Sequence, residues 1–215
     1  MNTFHIFEAL YKAEQLSSGL SSEILAVEGF ATPKIRHFLN NLCNFEECNY
    51  LEVGSYMGAS LLSAAYGNTG FFTGVDNFSR RRGIREICYR NLSLHAASNV
   101  KMVESDCWEF DKTSIEKVNV YFYDGDHSYD SQKRGIVEFD SVLADKFVLL
   151  VDDYTWDEPF NGTKDALAEL NYKIHLKIDL NDWKNTNGWW NGYCIILAEK
   201  EINEEVCVVS SDAVQ

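Results

Sequence analysis

From residue 49 the chain settles into a rhythm that few architectures accept. NYLEV, GFFTGVD, VKMVES, VNVYFYD and KFVLLVDD are short apolar or β-rich runs. Stretches of helical composition separate them, at Ala59 to Tyr66, Ile84 to Ala97 and Ser131 to Ala144. Strands joined through helices run parallel, because the helical crossover carries the chain back to the end of the sheet at which the previous strand began. Near-continuous apolar runs suit strands covered on both faces. The expected fold is α/β, a Rossmann-like doubly wound sheet that is mostly parallel. After a last helix over Gly162 to Leu170, YKIHLKIDL and GYCIILAEK flank the turn-rich NDWKNTNGWWN and should pair as a C-terminal antiparallel hairpin. Val206 to Val209 offers a further short edge strand in the tail.

Helices precede this core. Phe4, Phe7, Leu10 and Tyr11 recur at helical spacing, as do Ile35, Phe38, Leu39 and Leu42 after the start signal Thr32-Pro33. With 215 residues and 46% hydrophobic content the chain can bury one substantial core. Its only prolines are Pro33 and Pro159, and no stretch has linker composition. One domain is expected, with a helical cap over 1–48, a core over 49–199 and a tail over 200–215.

A formal charge of -14 would repel a phosphate backbone, which argues against nucleic acid as a partner unless basic residues cluster. They cluster once, at Arg80-Arg81-Arg82, a solvated turn or an anchor for an anionic substrate or partner. Six cysteines without a CxxC pair, and an N-terminus without an apolar signal core, suit reduced thiols in the cytoplasm. Cys43 and Cys48 have no second pair at zinc spacing. No run approaches the roughly 20 apolar residues of a membrane span, so no membrane association is expected. A homo-oligomer is left open.

Ligands of open parallel sheets collect beyond the carboxyl ends of the strands, and the polar residues of this sequence sit there. The first run ends in Gly54-Ser55-Tyr56-Met57-Gly58-Ala59-Ser60, whose two glycines allow a tight turn and close approach of a ligand to backbone N–H groups. Their spacing is GxxxG rather than the GxGxxG of a dinucleotide binder, and Glu52 would repel a pyrophosphate while suiting the amine-bearing end of a ligand. Asp76 closes the second run 24 positions after Glu52, roughly where a carboxylate grips ribose hydroxyls. Asp106 after the third run suits an adenine amino group. Each feature taken singly reads equally as a turn glycine or a helix cap.

In this order they resemble the class I S-adenosylmethionine-dependent methyltransferases, whose first motif is an acidic residue followed by GxxxG, as in LEVGSYMGAS. The likeness spans roughly residues 49 to 199. It implies S-adenosylmethionine as cofactor, with Glu52, Gly54, Ser55, Gly58 and Ser60 around the methionine part, Asp76 and Asn77 at the ribose, Asp106 and Cys107 at the adenine, and Asp124 at the donor's reacting end.

A second group follows. The fourth run ends in Asp124-Gly125-Asp126-His127-Ser128-Tyr129-Asp130 and the fifth in Asp152-Asp153-Tyr154. So many like charges would raise one another's pKa unless a cation sat among them, and a hard divalent ion with oxygen ligands meets that need. DGDHSYD followed by VDDY is similar to small-molecule O-methyltransferases that modify sugars in antibiotic pathways, the macrocin and aminocoumarin type. That resemblance implies Mg2+ on Asp124, Asp152 and Asp153, with Asp126 or His127 as the catalytic base. Caps and solvated loops are the alternative for the same residues. Trp156, Trp183, Trp189 and Trp190 lie in the flanking loops, as stacking faces for an acceptor or as packing residues. His5, His37, His95 and His175 have no partner pattern and read as structural.

The expected activity is methyl transfer from S-adenosylmethionine to a hydroxyl of a small molecule, a sugar or planar ring among the options. The rivals are a non-catalytic nucleoside-binding protein and a nucleotide-dependent oxidoreductase, the latter opposed by the GxxxG spacing and Glu52.

Overall fold

The computed structural model describes residues 1–182 and 185–201. Three helices come first, α1 (Thr3–Glu14), α2 (Ser22–Leu25) and α3 (Pro33–Leu42). The start signal of α3 acts as its chemistry dictates: the Thr32 hydroxyl accepts from the Ile35 amide at 3.3 Å, and Pro33 occupies the first turn, where no amide donor is needed. Strands and helices then alternate as β1 (Asn49–Val53), α4 (Ala59–Ala65), β2 (Phe71–Asp76), α5 (Ile84–His95), β3 (Val100–Glu104), β4 (Val118–Tyr123), α6 (Tyr129–Val137), β5 (Leu143–Asp152), α7 (Asp157–Leu170), β6 (Lys173–Leu180) and β7 (Tyr193–Glu199).

The seven strands form one sheet in the order β3-β2-β1-β4-β5-β7-β6. All neighbouring pairs from β3 to β5 are parallel, and β7 runs antiparallel to both β5 and β6. The expected doubly wound sheet and terminal hairpin are both present. From β1 the chain winds outward to β2 and β3, and from β4 it winds the other way. The carboxyl ends of β1 and β4 therefore diverge, which is where such sheets open a ligand crevice.

Period-two alternation sends successive strand residues to opposite faces. On one face Tyr50, Phe72, Phe122, Tyr193 and Ile195 pack under α1, α3 and α4 with Ile6, Phe38, Leu39 and Leu61. On the other, Leu51, Tyr121, Tyr123, Leu149 and Ile196 meet Ile136 and Phe139, from α6 and the turn after it, and Ala166 of α7. Glu52 shares the face of Tyr50.

Two element boundaries differ from expectation. The helix expected over Ser131 to Ala144 ends at Val137, and β5 reaches back to Leu143. Phe139 stacks on Tyr121 with ring centroids 5.3 Å apart, and a 3-10 turn over Asp140–Val142 follows, so these apolar residues cover β4 instead of extending the helix. The last helix begins at Asp157, five residues before Gly162. Pro159 sits in its first turn, Asp157 and Glu158 complement the positive end of the helix dipole, and Gly162 lets α7 approach α6 where a Cβ would lie 2.7 Å from the Tyr129 carbonyl. Val206 to Val209, Cys207 and Trp183 lie outside the described residues. Among the described residues no helix is long and apolar enough to cross a membrane, and the cysteines at 43, 48, 88, 107 and 194 are free thiols.

Candidate active site

An open cleft of about 950 Å³ lies at the carboxyl ends of β1, β2, β3, β4 and β5. Gly54 makes it possible. Its φ of +95° is a left-handed conformation, and a Cβ there would stand 1.9 Å from the Asp124 carbonyl oxygen, so the turns after β1 and β4 meet only because this residue has no side chain. Gly58, at φ +83°, starts α4. Gly54, Ser55, Tyr56, Met57, Ala59 and Ser60 line one wall.

Glu52 departs from expectation. It is fully buried and lies beneath the cleft floor, because its strand position turns it to the face of Tyr50. Its carboxylate accepts from the Tyr50 hydroxyl at 2.7 Å and the Ser60 hydroxyl at 3.2 Å. Burial pushes its pKa up to about 7, against the pull of those hydroxyls. Ser60, which donates to it, does line the cleft.

Asp76 lines the cleft beside this turn. Its two oxygens accept from the Tyr56 amide at 2.7 Å and the Phe78 amide at 2.6 Å, which fixes the carboxylate and leaves lone pairs on both oxygens. At the end of β3, Asp106 accepts from the Trp108 amide at 3.0 Å and from the Asn77 side chain at 3.4 Å. Asn77, Cys107 and Trp108 line the cleft with it, and the Arg134 guanidinium sits 4.1 Å from the Trp108 ring centroid. Burial, then the nearby Asp106, raise the Cys107 thiol to about 11, so it stays protonated at neutral pH.

The second group of residues converges on the same cleft. The His127 Nε2 lies 2.9 Å from Asp153 Oδ2 and 3.9 Å from Asp124 Oδ1, and the Trp156 ring meets the imidazole edge-on with centroids 5.6 Å apart. Nε2 is thus the ring nitrogen that faces the carboxylates, and Nδ1 is buried and has no partner. Asp153 adopts φ +53° at the end of β5, a conformation Asp tolerates better than most residues. Burial, followed by the charges of Asp152 and Asp153, holds Asp124 well above the ordinary carboxylate range. Asp152 rises to about 7 from burial and then from Asp153, and its Oδ1 is buried without a partner.

Asp126 and His127 separate clearly. Asp126 is exposed, and its Oδ1 accepts from the Ser128 amide at 3.1 Å and the Ser128 hydroxyl at 2.5 Å, closing the turn that opens α6. Those bonds hold its carboxyl below the usual range, which makes it a weaker base. His127 carries the base-like geometry.

The loops are tied to one another. The Tyr154 and Thr155 amides donate to the carbonyls of Gly192 and Asn191 at 3.2 and 3.0 Å, and the Thr32 hydroxyl donates to the Gly188 carbonyl at 2.7 Å. Trp156 and Trp190 thereby line the cleft. Trp189 does not: it is 4% exposed, donates from Nε1 to Glu14 at 2.9 Å, and packs edge-on against Phe38. Met57 and Phe30 also line the cleft and were not singled out by sequence, and Arg80 of the expected basic cluster lines it with them. His5, His37 and His175 bond to the Leu42 carbonyl, the Ser18 hydroxyl and Glu199, away from it.

Donor chemistry and donor arrangement differ for a metal. Three neighbouring carboxylates, two of them raised by burial and by the like charges beside them and one of those with an orphaned buried oxygen, are the hard oxygen set a divalent cation takes. As placed, with Asp153 turned to His127, no three His, Cys, Asp or Glu side chains among the described residues are grouped to ligate one ion.

Residues 51–154, which hold both groups of site residues, match the family model of a methyltransferase domain. No curated protein matches the chain by sequence. The fold is that of solved methyltransferases. A precorrin-6y C5,15-methyltransferase from Geobacter metallireducens GS-15 is 15% identical with a TM-score of 0.62, covering 86% of this chain and 98% of its own. An O-methyltransferase from Bacillus cereus, solved with SAH, is 13% identical with a TM-score of 0.60, covering 93% and 92%. A ribosomal protein L11 methylase from Lactobacillus delbrueckii subsp. bulgaricus is 14% identical with a TM-score of 0.56, covering 82% of each chain. These neighbours differ in what they methylate, so the likeness carries the fold and not the acceptor.

Proposed function

We propose that this protein transfers a methyl group from S-adenosylmethionine to a hydroxyl of a small molecule. The observation that carries the proposal is the 2.9 Å contact between His127 Nε2 and Asp153 Oδ2 on the wall of the cleft that the Gly54 turn and Asp76 also line. In this reading the turn from Gly54 to Ser60 holds the methionine part, Asp76 with Asn77 the ribose, and Asp106 with Cys107 the adenine. The acceptor enters between Trp156 and Trp190, whose faces suit a sugar or planar ring.

The donor is already activated, so the chain has little covalent chemistry to perform. The acceptor oxygen attacks the sulfonium methyl, the carbon–sulfur bond breaks with its electrons returning to sulfur, and the acceptor proton goes to His127. Asp153 orients the imidazole and stabilises its cationic form. Asp124, Asp152 and Asp153 would hold a hard divalent cation such as Mg2+, which supplies polarisation of the acceptor hydroxyl when bound.

Calorimetric titration with S-adenosylhomocysteine should give saturable heat, and no binding at millimolar ligand would sink the proposal. A panel of hydroxylated compounds should then yield a methylated product. His127→Ala should lower that turnover about a hundredfold while leaving S-adenosylhomocysteine affinity unchanged. Undiminished turnover would remove His127 as the base, and binding without turnover across the panel would favour a non-catalytic binding protein.

A further inference from the structure

One cation at the mouth of the cleft has no part in the transfer just described. Arg80 lies in the turn between β2 and α5, the first of three consecutive arginines. It alone of the three lines the cleft. Its guanidinium carbon stands 5.3 Å from the Phe30 ring centroid and 5.9 Å from that of Tyr56. Those two rings stack on each other at 4.9 Å and 22°, and Trp190 meets Phe30 edge-on at 6.4 Å. Rings from three separate loops therefore form one aromatic cradle around a single charge from a fourth.

Two features of the setting of this exposed arginine matter. Among the described residues it forms no ion pair with a carboxylate of the chain, like Arg81 and Arg82 beside it. The π faces hold its plane and leave its five N–H donors unspent. Among the described residues it is also the sole Lys or Arg lining the cleft, against Asp76, Asp106, Asp124, Asp126, Asp152 and Asp153. Any anionic group entering meets six carboxylates and this one planar fork, whose geometry matches a carboxylate bidentately.

We infer that Arg80, seated on the Phe30–Tyr56 stack, is a carboxylate-binding subsite at the mouth of the cleft. The carboxylate has two sources, the amino-acid end of the methyl donor or an acid group on the acceptor, and the first rests on the donor reading above. Tyr56 belongs to the turn proposed to seat the methionine part, which brings that carboxylate within the fork's neighbourhood.

Calorimetry on wild type, Arg80→Gln and Arg80→Lys separates the outcomes, with melting curves to check folding. The ligands are S-adenosylhomocysteine, 5′-methylthioadenosine, which lacks the amino acid, and benzoate against benzyl alcohol on nucleoside-saturated protein. Weakening of S-adenosylhomocysteine by tenfold or more in Arg80→Gln, with methylthioadenosine unchanged and partial recovery in Arg80→Lys, assigns the subsite to the donor. Unchanged nucleosides, with loss of a wild-type preference for benzoate over benzyl alcohol, assign it to the acceptor. Equal weakening of both nucleosides makes Arg80 a packing residue and overturns the inference, as does no change with any ligand. If wild type binds neither nucleoside, the donor reading fails on its own and the benzoate comparison, run without nucleoside, decides the subsite.

Discussion

Replacing Glu52 by Gln should stabilise the protein in a pH-dependent way. The carboxyl is fully buried with pKa raised from 4.5 to about 7, chiefly by burial. The folded state therefore binds more protons than the unfolded state between those values, and stability falls as pH rises through that window and levels off above it. At 1.36 kcal/mol per unit of pKa, the ionised group costs roughly 3 kcal/mol above pH ~7 and nothing below pH ~4. Gln keeps the shape, and the Tyr50 and Ser60 hydroxyls that now donate to Glu52 can turn to serve an amide. The stability difference between Glu52→Gln and wild type should thus shift in favour of the variant by roughly 3 kcal/mol from about pH 4.5 to about pH 8. For a chain of this size that is about 2–4 °C of melting temperature per kcal/mol. Urea and thermal unfolding across that range test it, and parallel stability curves for the two proteins would refute the buried, partly protonated carboxyl. Asp152, also raised to about 7, contributes the same sign to both proteins and cancels in the difference.

Asp76→Ala should weaken S-adenosylhomocysteine tenfold or more by calorimetry, because it removes the ribose acceptor and frees the Tyr56 and Phe78 amides; unchanged affinity would show the ribose is elsewhere. Gly54→Ala should cost several kcal/mol, since its Cβ would meet the Asp124 carbonyl at 1.9 Å with φ at +95°, and a loss under about 1 kcal/mol in urea unfolding would contradict that close approach. Magnesium should raise the melting temperature of wild type and not of Asp152→Asn/Asp153→Asn, and an equal rise in both would remove the metal.

Much of the frame was legible because it rests on local pattern. The Thr32-Pro33 start, the βα rhythm and the turn-rich segment before β7 each encode their element within a few residues. Gly162 misled for the same local reason: it looks like a boundary, and only packing against α6 shows it inside α7. The strand ends placed the acids on one edge correctly, since position in a parallel sheet follows from order. Burial of Glu52 was hidden, because a strand covered on both faces carries no polar side to mark which residues point where. Asp126 had a readable signal in Asp126-His127-Ser128, the spacing of a carboxylate that caps the residue two ahead. The fates of Trp189 and Trp190 had none, as an irregular loop has no period. Arg80, Phe30, Tyr56 and Trp190 come from four loops and meet only through the tertiary fold.

The charge of the cleft bears on how the proposed reaction must run. Six carboxylates favour a cationic sulfonium, so they help seat the donor. They favour it most before transfer, when its charge is whole, and less as the methyl leaves and that charge disperses, which contributes binding and not rate. The same carboxylates disfavour a free alkoxide on the acceptor by raising its pKa. A separate deprotonation step is thus opposed by the very residues that bind the donor. Proton removal has to accompany methyl transfer, at a group already positioned in the cleft. His127, whose Nε2 stands 2.9 Å from Asp153 and whose Nδ1 has no partner, meets that requirement. Asp126, held low by Ser128, does not.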